Sequence, residues 1–89
     1  MRYRIKIEGL ADGRPTPVDG SWLKWMDFDA RDGRGVAQGT FIPEHAMVFS
    51  SHAEALTFWQ TQSKVRPLRP DGKPNRPLTA YTVTVEPEP

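Results

Sequence analysis

Alternation is the first strong pattern along the chain. In "RYRIKIEG", Tyr3, Ile5 and Ile7 fall on one side of an extended backbone and Arg2, Arg4, Lys6 and Glu8 on the other. That two-residue period belongs to a strand with one buried and one solvated face. "LTAYTVTVEP" repeats it, with Tyr81, Val83 and Val85 against Ala80, Thr82, Thr84 and Glu86. Sheets with one wet face are usually antiparallel, so the two segments predict a small antiparallel or mixed sheet whose apolar side another element covers.

The spacing predicts that cover over about residues 51–65, in "SSHAEALTFWQTQSK". Ser51 followed three residues later by Glu54 is a capping box, which satisfies N–H groups left unpaired at a helix start. Ala55, Leu56, Phe58 and Trp59 form a broad apolar arc at helical spacing, with Trp59 expected in the core. Lys64 suits the negative end of the helix dipole, and Pro67 blocks continuation past about Arg66.

The middle of the chain is less regular. "GLADGRPTPVDG" reads as a loop and "SWLKWMDFD" as a strand with aromatics on both sides. Trp22 and Trp25 are an odd number of residues apart, which predicts opposite faces and one of them partly exposed. Asp32-Gly33 is a hairpin signal, "VAQGTFI" its return strand, and "HAMVFSS" a further short strand leading into the helix cap. The fold expected is therefore α+β: three to five mainly antiparallel strands, one helix over about 51–65 on one face, and the first and last strands central or adjacent. Residues 1–86 should form a single domain, and 87–89 a frayed tail.

Composition narrows the chemistry. A chain of 89 residues has material for one thin core, to which three Trp, four Phe and two Tyr would contribute. With no cysteine there are no disulfides, thiolate metal sites or thiol nucleophiles. A small domain without staples points to a reducing cytoplasm. No apolar run approaches the roughly 20 residues that span a bilayer, and the charged "MRYRIKIEGL" is unlike an export leader, so no membrane partner is expected.

Candidate catalytic and metal motifs fall short one by one. Asp27, Asp29 and Asp32 lack the glycine and the glutamate that a calcium loop requires at its sixth and twelfth positions, and read as turn residues. Gly33, Gly35 and Gly39 miss the phosphate-loop spacing. His45 and His52 have neither helical pairing nor cysteine partners. Ser50, Ser51 and His52 are adjacent, but no acid is identified to orient a catalytic pair, and Ser51 already has a capping role. These readings predict no enzyme, no cofactor and no metal.

Net charge is only +1, but five cations against one acid lie in residues 64–77. The candidate binding residues there are Arg66, Arg69, Lys73 and Arg76. Arg2, Arg4 and Lys6 would add a cationic stripe on the wet face of the first strand, and an exposed Trp22 or Trp25 an anchor for a partner. "PLRP" and "PNRP" have P-x-x-P spacing, although Gly72 interrupts any continuous polyproline segment. "FSSHAEALTFWQ" followed by "RPLRPDGKPNRPLTAYTV" resembles the C-terminal half of small uncharacterised bacterial proteins, some from prophage or other mobile regions. That resemblance, over residues 46–86, implies a bacterial cytoplasmic origin and carries over no site residue.

The sequence thus predicts a small binding or accessory module acting on a macromolecule, first of all a partner protein. Nucleic-acid binding through the basic strand face and loop is the alternative, and a homodimer joined by an edge strand is a third reading.

Overall fold

The computed structural model describes residues 1–88. Its four strands are β1 (Tyr3–Leu10), β2 (Trp22–Asp27), β3 (Val36–Thr40) and β4 (Tyr81–Pro87). They form one antiparallel sheet in the order β3-β2-β1-β4, so the first and last strands are neighbours. Alternation in β1 places Ile5 and Ile7 fully inside, facing the side that Val83 and Val85 occupy on β4 through the pairs Ile5↔Val85 and Ile7↔Val83. Leu23, Phe49, Ala55 and Leu78 complete the buried cluster. Of all the aromatic side chains only Phe49 is fully enclosed, so the core is as thin as the composition predicts.

β1 and β2 pair only at Lys6↔Trp22, beside the bonds from Ile7 N–H to Ser21 O at 2.8 Å and from Gly20 N–H to Ile7 O at 2.7 Å. Met47 N–H then bonds Leu23 O at 3.0 Å, and Phe49 bridges to Tyr3. The strand expected in "HAMVFSS" therefore reduces to that single bridge, preceded by a 3-10 turn at Pro43–His45.

A bulge in β2 corrects the expected placement of its tryptophans. Between Leu23↔Gly39 and Trp25↔Gln38 the register slips by one residue, and Lys24 is the extra residue. Trp22 stands opposite Thr40 and Trp25 opposite Gln38; because these partners are two residues apart on β3, both tryptophans belong to one face. The expected difference in exposure is present, with Trp25 44% exposed and Trp22 partly covered.

The helix α1 spans His52–Trp59, about half the predicted length. Ser51 Oγ accepts the Glu54 N–H at 3.0 Å, as a capping box requires, while the Glu54 carboxylate accepts the Ser50 N–H at 3.2 Å, one residue earlier than expected. Beyond Trp59 the sequence "QTQSK" has no apolar side chain to bury; Gln60 and Thr61 N–H still close on Leu56 O and Phe58 O, but the N–H groups of Ser63 and Lys64 find partners outside the helix. Ser63 N–H goes to Asn75 O at 2.9 Å and Lys64 N–H to the Asp29 carboxylate at 2.7 Å. Phe58 packs edge-on to Phe28 and tilted against Phe49, both at 5.2 Å, fixing α1 on the core. Trp59 is half-buried against the same core, and its indole N–H bonds Tyr81 O at 3.3 Å.

Of the tail expected over 87–89, Pro87 closes β4. Glu88 N–H bonds Arg2 O at 2.6 Å, and Pro89 lies outside the described residues.

Candidate binding surfaces

The outer face of the sheet carries the first surface. Arg4, Lys6, Trp22, Pro43, Glu44, Glu86 and Pro87 line a cleft of about 540 Å3. Lys6 Nζ lies 5.5 Å from the centre of the Trp22 ring, a cation–π arrangement that holds both side chains across the β1–β2 pair.

The expected cationic stripe does not stand free on this face. Glu88 accepts from Arg2 Nε at 2.7 Å and from Arg4 Nη2 at 3.1 Å, so one carboxylate engages two guanidinium groups. Arg4 is only 9% exposed. Lys6 is engaged with Trp22, and Glu44 and Glu86 add negative charge to the same cleft. Cations read from alternation alone are therefore nearly balanced in space.

Beside the cleft, apolar side chains meet solvent. Phe41 is 71% and Ile42 50% exposed, immediately after the Thr40 that pairs with Trp22 and immediately before Pro43. Thr40 Oγ1 accepts the Ile42 N–H at 3.1 Å and sets this turn. Phe41 and Ile42 were not among the sequence candidates; the only local signal was an apolar pair at the end of a strand, just before a proline.

The second surface is built by the basic loop and the β2–β3 connection. Residues 28–35 contain the expected turn, but in a wider form than a two-residue hairpin. Arg31 and Asp32 both adopt left-handed backbone (φ 53° and 57°), followed by Gly33 at φ 84°. Asp27 accepts the Asp29 and Ala30 N–H groups at 2.9 and 3.1 Å, while Asp29 reaches across the chain. Its Oδ1 accepts from Ser63 Oγ at 2.9 Å, Lys64 N–H at 2.7 Å and Val65 N–H at 3.3 Å. The Lys64 N–H, then the Ser63 hydroxyl, hold the Asp29 carboxyl below the ordinary carboxylate range.

The proline-rich stretch folds back on itself. Leu68 bridges to Pro74, Arg69 N–H bonds Lys73 O at 2.8 Å, and Gly72 at φ 83° closes a Pro70-Asp71-Gly72 turn. The P-x-x-P spacings consequently lie in a small hairpin and not in an extended polyproline helix. Asn75 fastens the hairpin to the β2–β3 connection, its Nδ2 donating to Gly33 O at 2.7 Å and Arg66 O at 2.9 Å.

Between the two segments is a cleft of about 380 Å3 lined by Asp32, Gly33, Arg34, Arg66, Arg69, Pro70 and Asn75. Arg66 pairs with Asp32 and Arg69 with Asp71, all four side chains being largely exposed. Lys73 and Arg76 are exposed on the same loop but do not line the cleft. The structure thus joins Arg66 and Arg69 to Arg34, which sequence reasoning missed because it is remote in the chain and sits in a turn. The two clefts share no residue, so the β1 cations and the loop cations do not converge in one.

Around the histidines, the His52 ring stands edge-on to Tyr3 at 6.0 Å and His45 ends the 3-10 turn. Among the described residues no three His, Asp or Glu side chains are grouped to hold a metal ion, and no helix is long and apolar enough to cross a membrane. No family model matches the chain, and comparisons with curated proteins and with solved structures return no match.

Proposed function

We propose that the protein is a small non-enzymatic binding module that docks a partner protein with the outer face of its sheet. The observation that carries this reading is the exposure of Phe41 and Ile42 in the turn between Thr40, which pairs with Trp22, and the cleft residue Pro43; Trp25 lines a separate groove with Thr61, Gln62 and Lys64. An exposed aromatic and aliphatic pair beside a cleft lined by a tryptophan is the chemistry of interface hot spots, where a few anchors dominate the binding energy. The partner that fits is a protein surface with an apolar projection ringed by both signs of charge, because the cleft is lined by Arg4 and Lys6 and by Glu44 and Glu86. A bacterial cytoplasmic setting belongs to the same proposal, supported by the cysteine-free composition and the resemblance over residues 46–86.

A second reading, an edge-to-edge homodimer, is favoured by one observation: β3, which ends beside Phe41, is an edge strand of the sheet. Nucleic-acid binding loses the support of the first strand, because Arg2 and Arg4 are paired with Glu88.

The test compares proteins retained from lysate by the wild type, by the Phe41→Asp/Ile42→Asp variant and by Arg69→Gln, with the mass of each in solution measured by light scattering. A partner retained by the wild type and Arg69→Gln but weakened on the order of 30-fold or more by the double substitution supports the docking face. Equal retention by all three overturns it. A wild-type dimer that the double variant converts to monomer moves the conclusion to the homodimer.

A further inference from the structure

The cleft between the β2–β3 connection and the proline-rich hairpin is separate from the docking face and has a chemistry of its own. We infer that it binds a dianionic phosphoryl group, the terminal phosphate of a phosphomonoester, on Arg34, Arg66 and Arg69.

Three arginines from two segments far apart in sequence line one small cavity, in which Asp32 is the only acidic residue, with Asp71 pairing Arg69 from outside the lining. Like charges brought together in this way repel, and a bound anion removes the repulsion. Arg34 has no ion pair among the described residues, and the partners of Arg66 and Arg69 are themselves solvent-exposed and exchangeable.

The cleft is also pre-organised. A connection as long as residues 60–77 would ordinarily be mobile, yet three fastenings hold this one. Asp29 accepts Ser63, Lys64 and Val65; Asn75 donates to Gly33 O and Arg66 O; and the turn at Gly72 folds Arg69 back against Lys73. Gly33 lets the two segments meet, because a Cβ there would lie 2.6 Å from Arg66 Cβ. Arg66 is thereby fixed against the turn that carries Arg34.

A carboxylate is satisfied by one guanidinium fork, whereas the oxygens of a phosphoryl group accept from several forks at once, which is the geometry Arg recognises better than Lys. A nucleic-acid backbone would call for a continuing track of cations. Arg2 and Arg4 are paired with Glu88, Lys73 and Arg76 are exposed on the loop but do not line the cavity, and the cavity is confined to the two loops. A single focal site fits a terminal dianion better than a polyanion.

Asp32 supplies the decisive test. It occupies part of the Arg66 fork from inside the cleft, so it competes with an incoming anion. Asn tolerates left-handed backbone as Asp does, so Asp32→Asn removes the competing charge and keeps the turn. The experiment is an NMR titration of the full chain with inorganic phosphate, with adenosine monophosphate, and with a short single-stranded oligonucleotide lacking a terminal phosphate, at about 50 mM salt. Saturable shifts at Gly33, Arg34 and Arg66–Arg69 with the first two ligands are expected. Arg34→Gln and Arg69→Gln should each weaken binding about tenfold, and Asp32→Asn should tighten it several-fold. Tighter binding of the nucleotide than of phosphate identifies a free nucleotide as the source, and equal binding identifies the phosphoryl group as the recognised unit. The inference is overturned if the shifts do not saturate or if sodium chloride reproduces them. Failure of Asp32→Asn to tighten binding, or binding of the oligonucleotide as tightly as either monoester, also overturns it. Folding of each variant is checked by the dispersion of its own spectrum, and loss of the Phe41 docking face leaves every one of these outcomes unaffected.

Discussion

Arg2, just before β1, with Arg4 and Lys6 on it, and the cations of residues 64–77 look alike on paper, and the fold treats them in opposite ways. On β1 the counter-charge comes from the far end of the chain. Glu88 closes on Arg2 and Arg4, and Lys6 settles on Trp22. In the loop the counter-charges are Asp32 and Asp71, exposed and easily displaced, and Arg34 joins the group. The number of cations in a segment therefore says little about the surface it presents. What matters is whether the neighbouring carboxylate is enclosed with them or left in water.

The largest way to break this contrast is Glu88→Ala. It leaves the enclosed Arg4 guanidinium without its acid, and stability should fall by about 2 kcal/mol, somewhat less than for a fully buried pair because Glu88 keeps some contact with solvent. Denaturant unfolding would read that loss. An equal midpoint for variant and wild type would mean that Arg4 is satisfied by water and that the two basic regions are alike after all.

Gly33→Ala should come next, at about 1–2 kcal/mol, since it combines unfavourable left-handed backbone with a collision at Arg66. Faster hydrogen exchange at Ser63 and Asn75 would separate loosening of the basic loop from a general loss of stability.

Acid sharpens the same comparison. The Asp29 carboxyl is held below its ordinary range by the Lys64 N–H and the Ser63 hydroxyl, so its contribution is complete above the unfolded carboxylate value of about 3.9 and disappears as pH falls through the lower folded value. The amide signals of Lys64 and Val65 should move in that window below about pH 4. An Asp29→Ala variant should lose the transition, and unchanged titration in the variant would remove Asp29 from the account.

Lys6→Met should cost only about 0.5 kcal/mol and shift Trp22 fluorescence, because a cation over a partly exposed ring contributes little. Asp32→Asn, the counterpart of Glu88→Ala in the loop, should alter stability by less than about 0.5 kcal/mol, as an exposed pair would.

Much of the fold was legible where neighbours in sequence decide the outcome. The alternation of Tyr3, Ile5 and Ile7 marks β1, Ser51 and Glu54 mark the start of α1, and Pro70-Asp71-Gly72 marks a turn. Where α1 ends was only partly legible. The apolar arc does stop at Trp59, but the pull of Asp29 and Asn75 on the following N–H groups comes from elsewhere in the chain. Of the binding candidates, Arg66 and Arg69 line the loop cleft, whereas Arg34, Phe41 and Ile42 had no periodic or motif signal to announce them.

The sequence by itself determined the first and last strands, the helix start, the turn at Gly72 and the sign of the loop's charge, because periodicity, capping and turn preference act over a few residues. Only the tertiary structure decided the rest. It brought Glu88 to Arg2 and Arg4, slipped β2 by one residue so that Trp25 shares a face with Trp22, and set Arg34 beside Arg66 and Arg69. Each of these depends on which distant segments are packed together, and a counter-charge or a sheet register acts through space, whatever the separation along the chain.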